Sequence, residues 1–338
     1  MSSKKFFVAF LALSSIFTGS FAASAAFNVV ESFSTEGALG SDWIFSGTIP
    51  PSVVRNEGDT PENALRLTSN EQSQSGFVLY DNRFNLSQGV QFEFTQHQWG
   101  GSGADGIVFF IKNAADTTNV AGGAGGAMGY APGSAPGISG ALIGVGFDAW
   151  GNFKNYQGSG CNPDYPTGTT IPNQITVLGP GQDTVGYCQI ANPYDLEPNQ
   201  KKLLTNSYVD RQTSAAAVRI IIESPYTDSP KVKVYYENTL VHDIALPAEF
   251  SNTANIKFGF SAGTGAATNF HEISNLRVKT LDATLPFRNE SSSDYLAGSD
   301  SLANTGRSLA DYYLLFGTAM ALVGSGIYTR RKAVRETK

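Results

Sequence analysis

Three residues at alternate positions near the middle of the chain carry oxygen atoms of the kinds that bind metal ions. Asp148 supplies a carboxylate, Trp150 a backbone carbonyl and Asn152 a side-chain amide. Hard cations such as calcium take six to eight oxygens from these three sources, and one turn of a loop can wrap residues at this spacing around an ion. The segment therefore predicts a calcium site. The alternative is that Asp148 only hydrogen-bonds to backbone amides of its own loop.

These residues follow an apolar run that must position them. The run ALIGVGF (141–147) predicts a strand buried on both faces, as do GIVFFI (106–111) and VRIIIE (218–223). Apolar and polar residues alternate over 90–95 and 231–234, which predicts strands with one face in water. The metal loop is therefore expected at the exit of a core strand.

Composition indicates the fold class and narrows the partners. Short strands punctuated by 36 Gly and 15 Pro, with no long helical periodicity, predict one antiparallel β-sandwich over residues 27–285. The formal net charge is −6, and no basic patch interleaved with aromatic residues is present, which argues against a nucleic-acid partner. Cys161 and Cys188 are the only cysteines, and in an exported chain such a pair favours a disulfide.

The two ends of the chain predict export and anchoring. Residues 1–26 join two lysines to an apolar run and a small-residue cleavage site, as in a secretory signal peptide. Residues 286–301 are rich in Ser, Asp and Gly and predict a flexible tether. Near the C-terminus, an uncharged and mostly apolar stretch at 312–328 precedes a basic tail, which predicts a transmembrane segment.

The sequence LANTG at 302–306 resembles the sorting signal of Gram-positive bacteria, with Ala303 where that pattern more often has Pro. The resemblance implies that residues 302–338 form a sorting signal and that a sortase cleaves between Thr305 and Gly306. We therefore expect covalent attachment to the cell wall. The alternative is a single-pass membrane anchor, and both place the body of the protein outside the cell.

Three separated stretches together resemble a known family. They are GGSGADGIVFFI (100–111), the segment from GGAGGAMG to GNFKN (122–155), and IKFGFSAGTGAATNFHEISNLRV (256–278). In this order and spacing they resemble the L-type, or legume-like, lectin domain in its bacterial surface form. The resemblance covers nearly all of the body. It implies an all-β jelly roll of the concanavalin A type and calcium-dependent, non-catalytic carbohydrate binding.

The same resemblance implies roles for single residues. Asp105 matches the family's aspartate that accepts hydrogen bonds from two sugar hydroxyls and follows Ala104 through a cis peptide. Gly125 and Gly126 match the glycine pair whose backbone N–H meets the sugar. For Asp105 alone, the alternative is an ordinary turn residue, because Asp-Gly is common in turns.

The remaining implied contacts involve the metal loop and one other loop. Asp148, the main-chain carbonyl of Trp150 and Asn152 match the calcium ligands, and Asn152 also donates its amide to the sugar. Gly265 and Ala266 fall where the family's last variable loop touches its ligand.

Two departures from the family pattern bear on the metal. Plant lectins hold a transition metal with a Glu and a His, where this chain has Gly146 and Gln174. Neither side chain can serve as such a ligand, so we predict calcium and no transition metal. A further carboxylate is usual for the calcium, and Asp164 and Asp183 are both candidates.

Other residues that attract attention are assigned to structural roles. His97, His242 and His271 are scattered without a metal-binding spacing, so we expect them to be structural. Trp150 and Tyr130 could stack on sugars, but packing is the favoured interpretation for both.

The function predicted is therefore a surface lectin that binds glycans or glycoconjugates on another cell or matrix. One alternative is a glycoside hydrolase on the same jelly roll, which needs two carboxyls about 5 Å apart for retaining hydrolysis. The sequence has no Glu-x-Asp-x-Glu run to place them on one strand face, so we expect no enzyme. The other alternative is a protein-binding surface domain with a degenerate sugar site.

Overall fold

The structure is a computed structural model that describes residues 28–33, 39–55, 63–161, 167–205, 208–253 and 255–281. The predicted signal peptide, tether and sorting signal lie outside these residues. Within the described ranges, no helix is long and apolar enough to cross a membrane. Cys161 and Cys188 form the predicted disulfide.

The first of two sheets has eight strands, and we call it the back sheet. Its strands in spatial order are β15 (Thr239–Ala245), β14 (Lys231–Tyr236), β13 (Ala216–Ile222), β6 (Val90–Trp99), β17 (Phe270–Thr280), β4 (Ala64–Thr68) and β3 (Ser52–Val54), and β1 (Asn28–Glu31) also pairs with β17. The apolar run at 218–223 forms β13, which is an interior strand as predicted.

The second sheet has nine strands, and we call it the front sheet. Its strands in spatial order are β11 (Val185–Gly186), β10 (Gly181–Gln182), β8 (Ala141–Asp148), β7 (Gly106–Asn113), β16 (Ile256–Gly263), β5 (Ser75–Phe84) and β2 (Trp43–Gly47), while β9 (Gln174–Leu178) pairs with both β8 and β12 (Tyr194–Asp195). The apolar runs at 106–111 and 141–147 form β7 and β8 at the centre of this sheet.

Every pairing between these strands is antiparallel, so the antiparallel sandwich predicted from the sequence is confirmed. Helical structure in the described ranges is confined to one short α-helix and three 3₁₀ turns. They are α1 (Arg211–Ser214), η1 (Gly125–Ala127), η2 (Phe153–Asn155) and η3 (Ala248–Asn252).

The main hydrophobic core lies between the two sheets. Phe92 and Phe94 of the back sheet pack there against Phe109 of the front sheet, with ring centroids 4.8 and 5.9 Å apart. The alternation in β14 gives one buried and one partly exposed face, as predicted. The prediction of a wet face for β6 is wrong, because Gln91 and Thr95 on that face are buried in the middle of the back sheet.

A second, smaller core covers the outer face of the front sheet. Met128, Tyr130 and Phe153 from the segments between strands pack there on the surface of β7 and β8. Gly144 and Gly146 make this possible, because a Cβ at Gly144 would meet the Tyr130 ring at 2.6 Å and one at Gly146 would meet the Phe153 ring at 2.5 Å. These contacts fix both the glycine-rich η1 and the loop after β8.

Candidate functional site

Asp148 is the last residue of β8, and its side chain is completely buried. One carboxylate oxygen accepts a hydrogen bond from the Gly151 amide and the other from the Phe153 amide, both at 2.7 Å. The loop-capping role considered for this residue is therefore real. Each carboxylate oxygen can still bind a further partner, because it has a second lone pair. Burial raises the pKa of Asp148 to about 7, although these two amides oppose the shift.

Asp105 immediately precedes the neighbouring strand β7, and its backbone is hydrogen-bonded to the same loop. Its backbone carbonyl accepts hydrogen bonds from the amides of Ala149, at 2.9 Å, and Trp150, at 3.2 Å. The peptide bond from Ala104 to Asp105 is cis, as the family resemblance implied. The residue is only 5% exposed and lies directly before β7 in a segment without turn structure, so the interpretation as an ordinary turn residue is wrong.

The carboxylate of Asp105 lacks a full set of partners. Its Oδ2 atom is buried and has no hydrogen-bond partner among the described residues. Burial raises the pKa of Asp105 to about 6, and the Gly265 amide opposes this shift. A buried acceptor without a donor is costly, which indicates a place for a ligand that donates hydrogen bonds.

Asn152, on the other side of η1, also lacks a hydrogen-bond partner for a side-chain oxygen within the described ranges. Its Oδ1 atom is also buried without a partner among the described residues. Gly126 lies directly against it, since a Cβ there would stand 2.3 Å from this oxygen. Gly125 lies on the Asp105 side, where a Cβ would be 4.0 Å from Oδ2. The two unpartnered oxygens therefore flank one pair of glycines.

The last variable loop closes the site. A Cβ at Gly265 would stand 3.1 Å from Asp105 Oδ2, so a side chain here would crowd the carboxylate. The carbonyl of Ala266 accepts a hydrogen bond from Gln72 at 2.6 Å. The structure thus brings together Asp105, Gly125, Gly126, Asn152 and Gly265, and Ala266 is adjacent to this group through the chain.

The glycine pair differs from its expected role in one respect. The resemblance implied a backbone N–H that meets the sugar. In the structure the Gly125 amide donates to the Thr264 carbonyl at 3.2 Å, and the Gly126 amide faces the hydroxyl of Tyr156. Both N–H groups therefore face the protein.

The oxygen donors fit a hard cation. Asn152 Oδ1 is the unpartnered buried oxygen that such an ion would satisfy, and Asp148 provides the carboxylate. Among the described residues, no three His, Cys, Asp or Glu side chains form a metal cluster, so within that part of the chain the carboxylate of Asp148 would be supplemented by neutral oxygens. Beside Gly146 the space is taken by the Phe153 ring and the Met128 methyl, where a transition-metal ligand would have to project.

One of the two candidates for the additional carboxylate is wrong. Asp183 follows β10, whose Gly181 pairs with Ala141 at the start of β8. Asp148 ends the same strand seven residues later, which is about 23 Å away at 3.3 Å per residue. Asp164 lies outside the described residues and remains a prediction.

The three histidines have structural partners, as predicted. His97 contacts the Arg211 carbonyl and Ser274, His242 contacts the Ile175 carbonyl, and His271 contacts Thr68. Burial lowers the pKa of His97 to about 4 and that of His271 to about 3, so both are neutral at pH 7.

The packing role predicted for Tyr130 and Trp150 holds for only one of them. Tyr130 is fully buried and donates its hydroxyl to the Gly179 carbonyl, so the packing role is confirmed. The packing interpretation of Trp150 is wrong, because this residue is 42% exposed beside the site. It follows the buried Ala149, and the backbone amides of both residues donate to the Asp105 carbonyl, which leaves the Trp150 side chain outside these contacts.

Sequence reasoning missed Tyr156 and Lys154. Tyr156 packs against Gly126, and Lys154 is 3% exposed and lowers the pKa of Asp148. Both follow the FDAWGNF stretch within four residues of Asn152, and that proximity was the one available signal.

Comparison with known proteins gives the fold. No protein-family model and no curated protein match the sequence. Peanut lectin, solved with a nine-residue peptide, is 20% identical; the match covers 77% of this chain and 100% of that one, with a TM-score of 0.50. A Bauhinia forficata lectin in complex with GalNAc is 16% identical over 76% of this chain and 100% of its own, with a TM-score of 0.47.

The exoplasmic/lumenal domain of VIP36, in a Ca2+/Man3GlcNAc-bound form, is 15% identical over 72% of this chain and 86% of its own, with a TM-score of 0.44. The likeness to peanut lectin, together with the two antiparallel sheets, confirms the concanavalin A-type jelly roll.

Proposed function

We propose that this domain binds saccharides with the help of a calcium ion and catalyses no reaction. The observation that carries the proposal is the pair of buried, unpartnered oxygens, Asp105 Oδ2 and Asn152 Oδ1, on either side of the glycines of η1. A ligand rich in hydroxyl groups supplies the donors that Asp105 lacks. The fold shared with peanut lectin and the three family-like stretches support the same function.

Each residue has a distinct part in binding. Asp105 accepts hydrogen bonds from saccharide hydroxyls, and Asn152 directs its amide N–H groups toward the same ligand. Gly125 and Gly265 leave room for the sugar ring, because side chains at these positions would point at the Asp105 carboxylate. Asp148, the Trp150 carbonyl and Asn152 would hold calcium, and the ion would neutralise Asp148 and fix the orientation of the Asn152 amide.

The arrangement of carboxylates supports binding over hydrolysis. Hydrolysis of a glycosidic bond uses two carboxyl groups that are free to act on the substrate. Asp148 is completely buried and is the carboxylate proposed for calcium, which leaves Asp105 as the available carboxylate of these two. We therefore propose a lectin in preference to a glycosidase.

The function is tested by retention on a panel of immobilised neutral mono- and oligosaccharides, with calcium or with a chelator. We expect retention in calcium, loss in the chelator, and recovery when calcium is restored. Release of shortened sugars would indicate a hydrolase. Absence of retention under both conditions would indicate a degenerate site and contradict the proposal.

Calcium binding should weaken in acid. Asp148 has a pKa of about 7 in the metal-free protein, which Asp105 raises further and Lys154 lowers. The proton and the ion compete for this carboxylate, so below pH 7 the affinity should fall about tenfold per pH unit. Calorimetric titration with calcium chloride at about pH 7.5, 6.5 and 5.5 measures this. An affinity that is constant over this range would exclude Asp148 as a ligand.

We further propose that the domain is exported and displayed on the cell wall through the signal at 302–338. The order of signal peptide, LANTG, apolar stretch and basic tail supports this localisation. Display of many copies on one surface would strengthen weak single-site binding through avidity. Mass spectrometry of the wall-released protein tests the anchor, since sortase cleavage leaves a C-terminal peptide that ends at Thr305.

A further inference from the structure

Tyr156 lies beside Gly126 of the candidate site. A Cβ built on Gly126 would lie 2.5 Å from the Tyr156 ring and 2.3 Å from Asn152 Oδ1, so the ring and the Asn152 amide both border the space that a side chain at Gly126 would occupy. On its other side, the ring lies 3.4 Å from a Cβ position at Gly133. The two glycines therefore hold the ring in a narrow slot.

The charges of both acidic residues of the site act on the hydroxyl of Tyr156. Partial burial raises the pKa of Tyr156, and the nearby carboxylates of Asp105 and Asp148 raise it further. The Gly126 amide faces the phenol oxygen and opposes this shift. The hydroxyl is thus a neutral group near both carboxylates.

In this position the Tyr156 hydroxyl can donate a hydrogen bond to a bound sugar, which the amides of Gly125 and Gly126 do not do. The Gly125 amide is bonded to Thr264, and the Gly126 amide faces Tyr156. Asp105 contributes only acceptors when it is ionised, so a bound sugar hydroxyl that donates to it still needs a donor for its own lone pairs. A tyrosine hydroxyl can accept from one neighbour and donate to another at the same time.

We infer that the Tyr156 hydroxyl donates a hydrogen bond to the bound saccharide and thereby helps to select it. The inference rests on the proposed saccharide-binding function and deepens it. The favoured ligand is a neutral sugar with a free hydroxyl that donates to Asp105 and accepts from Tyr156. A sugar that is deoxygenated or capped at this position loses both interactions.

The test compares the full-length protein with Tyr156→Phe, which keeps the ring in its slot and removes only the hydroxyl. The probe is the saccharide that wild type retains most strongly from the neutral panel, together with its set of monodeoxy analogues. We expect Tyr156→Phe to bind the parent sugar about tenfold more weakly, with unchanged calcium affinity. One deoxy analogue should bind both proteins equally, because it lacks the partner of the hydroxyl.

Tyr226→Phe is the matched control, since Tyr226 is 69% exposed and should leave all affinities unchanged. Equal affinity of wild type and Tyr156→Phe for the parent sugar would overturn the inference and leave the proposed function intact. A parallel loss of calcium affinity would also overturn it, by placing the hydroxyl in the metal site. If wild type retains no sugar on the panel, that result contradicts both the proposed function and the inference about Tyr156.

Discussion

Replacement of Asp105 by asparagine is expected to weaken saccharide binding by at least about a hundredfold without unfolding the domain. The change keeps the size of the side chain but replaces a charged acceptor by an amide that can present N–H groups to the sugar. Loss of charge-assisted hydrogen bonds accounts for a change of this size. Affinity for the sugar that wild type retains most strongly, in saturating calcium, is the measurement.

The stability of the same variant separates a functional from a structural role. The folded pKa of Asp105 is about 6, above its usual 3.8, so ionisation at pH 7.5 opposes folding. This penalty is present above pH 6 and disappears as the pH falls through 6 toward 3.8. The substituted asparagine carries no charge, so the melting temperature of Asp105→Asn in chelator should equal or exceed that of wild type. A large drop in melting temperature would instead show that the carboxylate stabilises the fold.

The parts of the fold that could be predicted are those recorded in local sequence. Continuous apolar runs identified β7, β8 and β13 as interior strands, because such a strand needs apolar residues on both faces. Alternation was misleading for β6. Because β6 is an interior strand, Gln91 and Thr95 are flanked on the same face by paired residues of β13 and β17. One strand's sequence contains no information about its position in a sheet.

The candidate site also contains some residues that local sequence could predict and others that it could not. Asp148, Trp150 and Asn152 are close in sequence, so their spacing was informative. Asp105 and the glycines of η1 come from distant segments, and only the family-like stretches pointed to them. The position of Asp183 depended on how β10 pairs with β8, and neither residue spacing nor charge reveals this register.

Tyr156 was missed for a different physical reason. An aromatic residue in a loop can pack inward or face solvent, and the choice depends on what the loop folds against. Here it folds against Gly126 and Gly133, which have no side chains to exclude the ring. The glycines were visible in the sequence, but the ring that fills the space beside them was not.

The back sheet contains a charged cluster that no local pattern revealed, and it is expected to be a major source of stability. Glu272 is completely buried and accepts hydrogen bonds from Arg66, Arg211 and the Trp99 indole at 2.7 to 3.1 Å. Burial alone would raise the pKa of Glu272, but the hydrogen bond and charge of Arg211, the charge of Arg66 and the hydrogen bond from Trp99 lower it. The carboxylate therefore favours folding above its usual pKa of 4.5, and this contribution is lost as the pH falls through the lower, folded value.

Glu272→Gln is expected to lower the free energy of unfolding at pH 7 by about 3–5 kcal/mol. The variant leaves the Arg211 side chain, which is 2% exposed, with a buried charge and no counter-ion from this residue. Urea unfolding measures the change. Glu249→Gln is the control, because Glu249 is exposed on η3 and its replacement should change stability by less than about 0.5 kcal/mol.

A double variant shows whether the loss of stability in Glu272→Gln arises from the uncompensated charge of Arg211. Removing both charges, in Arg211→Gln combined with Glu272→Gln, should destabilise the domain by less than the sum of the two single changes, because neither partner is then left alone. Additive losses would mean that Glu272 acts through packing and through its bonds to Arg66 and Trp99. The cluster lies in the back sheet, so saccharide affinity in Glu272→Gln should be unchanged at temperatures where the variant is folded.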